Sequence, residues 1–116
     1  MKGKILHVTG AMNVGGTETM LINLYRKINK KVEFHFISYS KSKAFYDGEI
    51  ESLGGKVIRL KPPNEVGFIN SIKDIKKAIK ENGPYDAVHT HILFNCGIAM
   101  IAAYLSGVKV RVSHAH

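Results

Sequence analysis

The chain has a single cysteine, Cys96, among its 116 residues. One thiol excludes an internal disulfide, no cysteine pair has metal-ligand spacing, and such sparing use points to a reducing, cytoplasmic setting. Long hydrophobic runs are also lacking. The start "MKGKILHVTG" is basic, but its apolar part is brief and carries His7, too short and too polar for a signal-peptide core. The run "ILFNCGIAMIAAYL", Ile92 to Leu105, contains Asn95 and Gly97 and falls short of the ~20 residues that span a bilayer, so it reads as a buried helix. Acidic residues are scarce: 9, against 17 lysines and arginines, leaving a formal net charge of +8. The surplus gathers in "RKINKK" and "KDIKKAIK", which on a helix form a solvated face or attract a polyanion. An anionic lipid surface is the favoured polyanion, because each lysine beside such a surface contributes on the order of 1 kcal/mol. Nucleic acid is disfavoured, since there is no zinc finger, helix-turn-helix, RNP-like stretch or basic-aromatic interleaving.

What is present is an alternation of short apolar runs with helical patterns, at a length that bounds the chain to about one domain. Lys4 to Thr9 and Val32 to Tyr39 read as strands. Between them Met20, Leu21, Leu24, Tyr25 and Ile28 form one stripe of a helix. Ala44 to Leu53 reads as a short helix closed by Gly54-Gly55, and Lys56 to Leu60 as a third strand, after which Pro62-Pro63 predicts an extended loop. Phe68, Ile69, Ile72, Ile75 and Ile79 make the next apolar stripe, with Lys73, Lys76, Lys77 and Lys80 off it and Asn82 to Pro84 as a stop. Asp86 to His91 is a fourth strand, Phe94 to Leu105 a helix ending at Ser106-Gly107, and Val108 to Ser113 a fifth strand. The pattern predicts an α/β, doubly wound, mostly parallel sheet of about five strands with right-handed crossovers and helices on both faces. Ligands in such folds bind outside the carboxyl ends of the strands, where the strand order reverses.

Two features fall at predicted strand ends. The first is "VGGTE", where Gly15 and Gly16 lie between strand and helix, a place suited to binding anions. The spacing matches neither G-x-G-x-x-G nor a P-loop, and "SYSKSK" stands where a ribose-binding acid would follow the second strand. The pair is then either a tight turn with Thr17 as N-cap or a place where backbone approaches a ligand, with Glu18 complementing the helix dipole or accepting hydroxyl groups. The second feature is histidine: "VHTHILFN" and "VSHAH" hold His89, His91, His114 and His116. Residues i and i+2 of a strand share a face, so four imidazoles can meet if the two strands are neighbours. A zinc site is one reading, weakened by the lack of a carboxylate or thiolate pattern. Another packs His89 under a helix, and a third projects a histidine into the ligand crevice.

"MNVGGTETMLINLYRKI", "GPYDAVHTHILFNCGIAMIAAYLSGV" and "VRVSHAH", in this order and at these spacings, resemble the N-terminal Rossmann-like domain of a GT-B glycosyltransferase of family 4. The subgroup is the one that builds capsular, exopolysaccharide or cell-wall glycans in bacteria. The resemblance covers essentially the whole chain. It implies a sheet in the order 3-2-1-4-5 and retaining transfer from a nucleotide-sugar donor to a glycan or lipid-linked acceptor, with no catalytic metal and no cofactor. It places Gly15 and Gly16 in a loop meeting donor or acceptor, with Asn13, Thr17 and Glu18 beside them. It implies His91 as the catalytic residue beside the transferred sugar, and His114 and His116 in the cleft. Residues 1–116 are then an acceptor-side domain, incomplete and inactive alone, without the second domain that supplies most nucleotide contacts. The resemblance also implies a peripheral place at the inner membrane face. An open edge at the fifth strand predicts self-association. The competing expectation is a stand-alone flavodoxin-like or nucleotide-binding module, or a membrane-docking domain without catalysis.

Overall fold

The computed structural model describes residues 3–10, 16–39, 44–91, 96–108 and 110–113. Five strands, β1 (Gly3–Gly10), β2 (Val32–Ser38), β3 (Lys56–Arg59), β4 (Ala87–Thr90) and β5 (Val110–Ser113), alternate with α1 (Gly16–Ile28), α2 (Asp47–Ser52), α3 (Pro63–Val66), α4 (Phe68–Asn82) and α5 (Cys96–Leu105). All four strand pairings are parallel, and the sheet runs β3-β2-β1-β4-β5. The chain moves outward from β1 to β3, then returns to the other side of β1 for β4 and β5. The order therefore reverses between β1 and β4.

Side-chain alternation divides the core into two layers. Leu6, Val8, Ile37 and Val88 pack against Ile72, Ile75 and Ile79 of α4 and Ile98, Ala99, Ala102 and Ala103 of α5. The small residues of α5 let that helix lie close to the sheet, which accounts for its apolar run without a membrane. No helix among the described residues is long and apolar enough to cross one. On the opposite face Phe34 and Phe36 pack against Leu21, Ile22 and Tyr25 of α1 and Tyr46 and Ile50 of α2. Tyr25 stacks on Phe34 at 4.7 Å between ring centroids. Polar ties hold the edges: Arg59 pairs with the fully buried Asp47 at 2.8 Å, and Asp86 accepts the Lys4 backbone N–H at 2.8 Å. Gly54 (φ 90°) and Gly107 (φ 81°) reverse the chain after α2 and α5 in a left-handed conformation that side chains disfavour.

The structure corrects three local expectations. Pro62-Pro63 does not make an extended loop, because Pro63 opens the one-turn helix α3, where its fixed φ suits a first helical position and its missing N–H costs nothing. Phe68 and Ile69 lie at the start of α4 yet are 53% and 61% exposed, since burial along this helix begins only at Ser71 and Ile72. Met20 and Leu24 are likewise exposed, and Ile22 takes their place in the core.

Candidate functional site

The reversal between β1 and β4 brings three histidines together. His7 of β1 is the register partner of His89 of β4, and the backbone N–H of His91, just past β4, donates to the Val8 carbonyl at 2.9 Å. All three stand on the α1 face, since the intervening Leu6, Val8 and Val88 belong to the other layer. The His89 and His91 rings are 3.9 Å apart at their centroids, and His7 lies 5.7 and 5.3 Å from them. His7 Nδ1 and His91 Nε2 are 3.1 Å apart and share a hydrogen bond in which one neutral ring donates and the other accepts.

Burial keeps the His7 ring neutral. His7 is 3% exposed, and His91 is buried as well. Burial, followed by its neighbours His91 and His89, pushes the His7 imidazole well below its ordinary pKa. Phe34, edge-on at 4.4 Å, and Phe36, stacked at 5.2 Å, wall the ring on the β2 side. Unpaired polar atoms occur on both faces of these strand ends, Thr9 on the histidine face and Thr90 on the other. His7 Nε2, Thr9 Oγ1 and Thr90 Oγ1 are buried with no hydrogen-bond partner in the described structure.

The residues expected from sequence divide into seen and unseen. Gly16 is the first residue of α1, and Thr17 lies inside the helix, so Thr17 is not its N-cap. Glu18 is half-buried in the first turn of α1, where its charge complements the helix dipole. Among the described residues, a Cβ built on Gly16 would meet nothing within 4 Å, and the residue has no positive φ. Neither packing nor backbone conformation therefore demands glycine there. His91 lies at the reversal, held by His7, which sequence reasoning did not include. Asn13, Gly15, His114 and His116 lie outside the described residues. β5 does lie beside β4, with Thr90 opposite Ser113, as a meeting of the two histidine segments requires. Two clefts open elsewhere. One, of about 620 Å³, is lined by Lys76, Lys77, Lys80, Tyr85, Leu105 and neighbours, and another, of about 640 Å³, lies along α4 beside β3.

Comparison with known proteins agrees with this fold. Residues 14–116 match the model of Glycosyltransferase Family 4. EpsF of Bacillus subtilis (strain 168), which carries a glycosyltransferase name, is 46% identical over 97% of this chain and 30% of its own length. The capsular polysaccharide biosynthesis glycosyltransferase CapH of Staphylococcus aureus is 32% identical over 96% of this chain, again 30% of its own length. The chain thus spans about a third of the length of these relatives. The apo form of the lipopolysaccharide outer core galactosyltransferase WaaB superposes with a TM-score of 0.75 at 20% identity, covering 97% of this chain and 33% of that one. At that identity the likeness is one of fold.

Proposed function

The chain belongs to glycosyltransferase family 4, and on that premise we propose that it forms one wall of a sugar-transfer cleft, the N-terminal, acceptor-side half of a larger enzyme. The observation that carries this reading is the pairing of His7 with His91 at the point where the strand order reverses, the position at which open α/β sheets bind ligands. In the proposal a nucleotide sugar is held mainly by a second domain and presented to this edge. His91 bonds a hydroxyl of the transferred sugar and helps orient the donor. Its ring is pre-set by His7, so the geometry costs no reorganisation during transfer. Gly15 and Gly16 let the backbone at the start of α1 approach the donor diphosphate or the acceptor, and Asn13, Thr17 and Glu18 flank that approach. The open space at Gly16 supports this part. His114 and His116 complete the cleft from the β5 side. Transfer proceeds with retention of anomeric configuration, needs no catalytic metal, and requires both domains, so this chain alone is inactive.

Family membership together with the names of EpsF and CapH supports surface polysaccharide synthesis as the setting. A lipid-linked acceptor fits the outer face of α4, where Lys73, Lys76, Lys77 and Lys80 are exposed beside the exposed Ile69. Cationic and apolar groups on one helix face suit an anionic membrane. The test is a panel of nucleotide sugars screened against the full-length protein by thermal shift. The expected result is a raised melting temperature with at least one nucleotide sugar; none that shifts the protein would refute the assignment.

A further inference from the structure

The histidine cluster has a chemistry that sugar transfer leaves unused. One ligand atom from each of His7, His89 and His91 lies within 4.8 Å of the other two. We propose that these three side chains form a binding site for a divalent transition ion of the zinc class. Their placement is fixed by the sheet, since His7 and His89 are register partners and His91 follows on the same face. Metal–nitrogen bonds of about 2.0–2.1 Å across the 3.1 Å gap between His7 Nδ1 and His91 Nε2 subtend an angle of about 98° at the ion. That value lies between octahedral and tetrahedral. All three ligand atoms lie within 4.8 Å of one another; two such bonds span at most about 4.2 Å, so any wider pair closes on an ion by tilting a ring inward.

The donor set selects the ion. Imidazole suits zinc, copper, nickel and cobalt, whereas magnesium and calcium require oxygen ligands. On His7 the ion would take Nδ1, now partnered only by another imidazole. Three neutral rings leave the ion its full charge, and its remaining coordination positions would take water or an anionic oxygen. This ion is not part of the transfer proposed above. By taking His91 Nε2 it would replace the bond to His7 that sets the His91 ring, and so alter how His91 meets the sugar, a consequence that rests on the transferase reading although binding itself does not.

The experiment titrates the metal-free chain with Co²⁺ and follows visible absorption, then displaces the cobalt with Zn²⁺ and measures stoichiometry by calorimetry. The expected result is one ion per chain, a Co²⁺ band abolished by Zn²⁺, no response to Mg²⁺, and affinity at least tenfold weaker in His7→Phe. His89→Gln is expected to weaken it equally, and tests the site if His7→Phe fails to fold, because His89 is less buried. A variant carrying both His114→Ala and His116→Ala is expected to bind as the wild type does. No cobalt band, undiminished affinity in a folded His7 or His89 variant, or binding lost only with His114 and His116 would each overturn the proposal. A nucleotide-sugar shift in the full-length protein alongside absent metal binding would refute the metal site alone.

Discussion

At the scale of single residues, two glycines make opposite predictions. A Cβ at Gly55 would lie 2.5 Å from the Phe34 carbonyl oxygen and 2.9 Å from Ile50 Cγ2, whereas one at Gly16 would meet no atom of the described residues within 4 Å. Gly55→Ala is expected to destabilise the fold by about 1–3 kcal/mol, as overpacking does. Gly16→Ala is expected to leave thermal stability unchanged or raise it by up to about 1 kcal/mol, while weakening donor or acceptor use in the full-length protein. Chemical denaturation of both variants checks this. A second residue-scale prediction concerns pH. His35 is buried with Nδ1 2.7 Å from the Tyr85 hydroxyl and Nε2 bonded to Glu33, and it faces Lys4 and Lys56. Burial lowers its pKa below the usual 6.5, Glu33 partly opposes this, and Lys4 and Lys56 lower it further. The folded state then binds fewer protons than the unfolded one below about pH 6.5. Stability is expected to be flat above that value and to fall as pH drops through it, less steeply in His35→Gln. An identical slope in wild type and variant would contradict the assignment. His7 shows why part of the site escaped the sequence. His89 and His91 announced themselves by i, i+2 spacing, but His7 sits far off in the chain, and only the β1–β4 register brings it opposite His89.

At the scale of elements, most of the fold was legible because its signals are local. The strand and helix order follows from hydrophobic period and from glycines at helix ends, whereas the sheet order 3-2-1-4-5, which is the observed one, came only as what the family resemblance implies. Helix α4 illustrates both success and limit. Its interior stripe of Ile72, Ile75 and Ile79 is buried as the period predicts, while Phe68 and Ile69, also in phase, are exposed because the period does not say where the partner surface begins. Ile75→Ala, at a fully buried position against the sheet, is expected to cost about 2–5 kcal/mol, whereas Ile69→Ala is expected to change stability by less than about 0.5 kcal/mol. Urea denaturation separates the two. The helix α3 was missed because a proline pair is equally compatible with a loop and with a first helical turn, and tertiary context decides.

At the scale of the molecule, one face of α4 carries lysines and the reversal between β1 and β4 carries histidines. The lysine face predicts binding to vesicles containing anionic lipid. Binding should weaken as salt is raised from low ionic strength through 0.15 M, where screening acts over about 8 Å, and should fall in Lys76→Glu and Lys80→Glu variants. Binding insensitive to salt and to these changes would remove the membrane from the account. The histidine end is the part on which the proposed function rests, as a wall of the transfer cleft at the strand-order reversal. The most direct test is the rate at which the full-length protein releases nucleoside diphosphate from a donor that it binds, compared with His91→Ala. The rate expected in the variant is lower by about 10² or more, with donor still bound and the fold intact. An unchanged rate in a folded His91→Ala protein would contradict it.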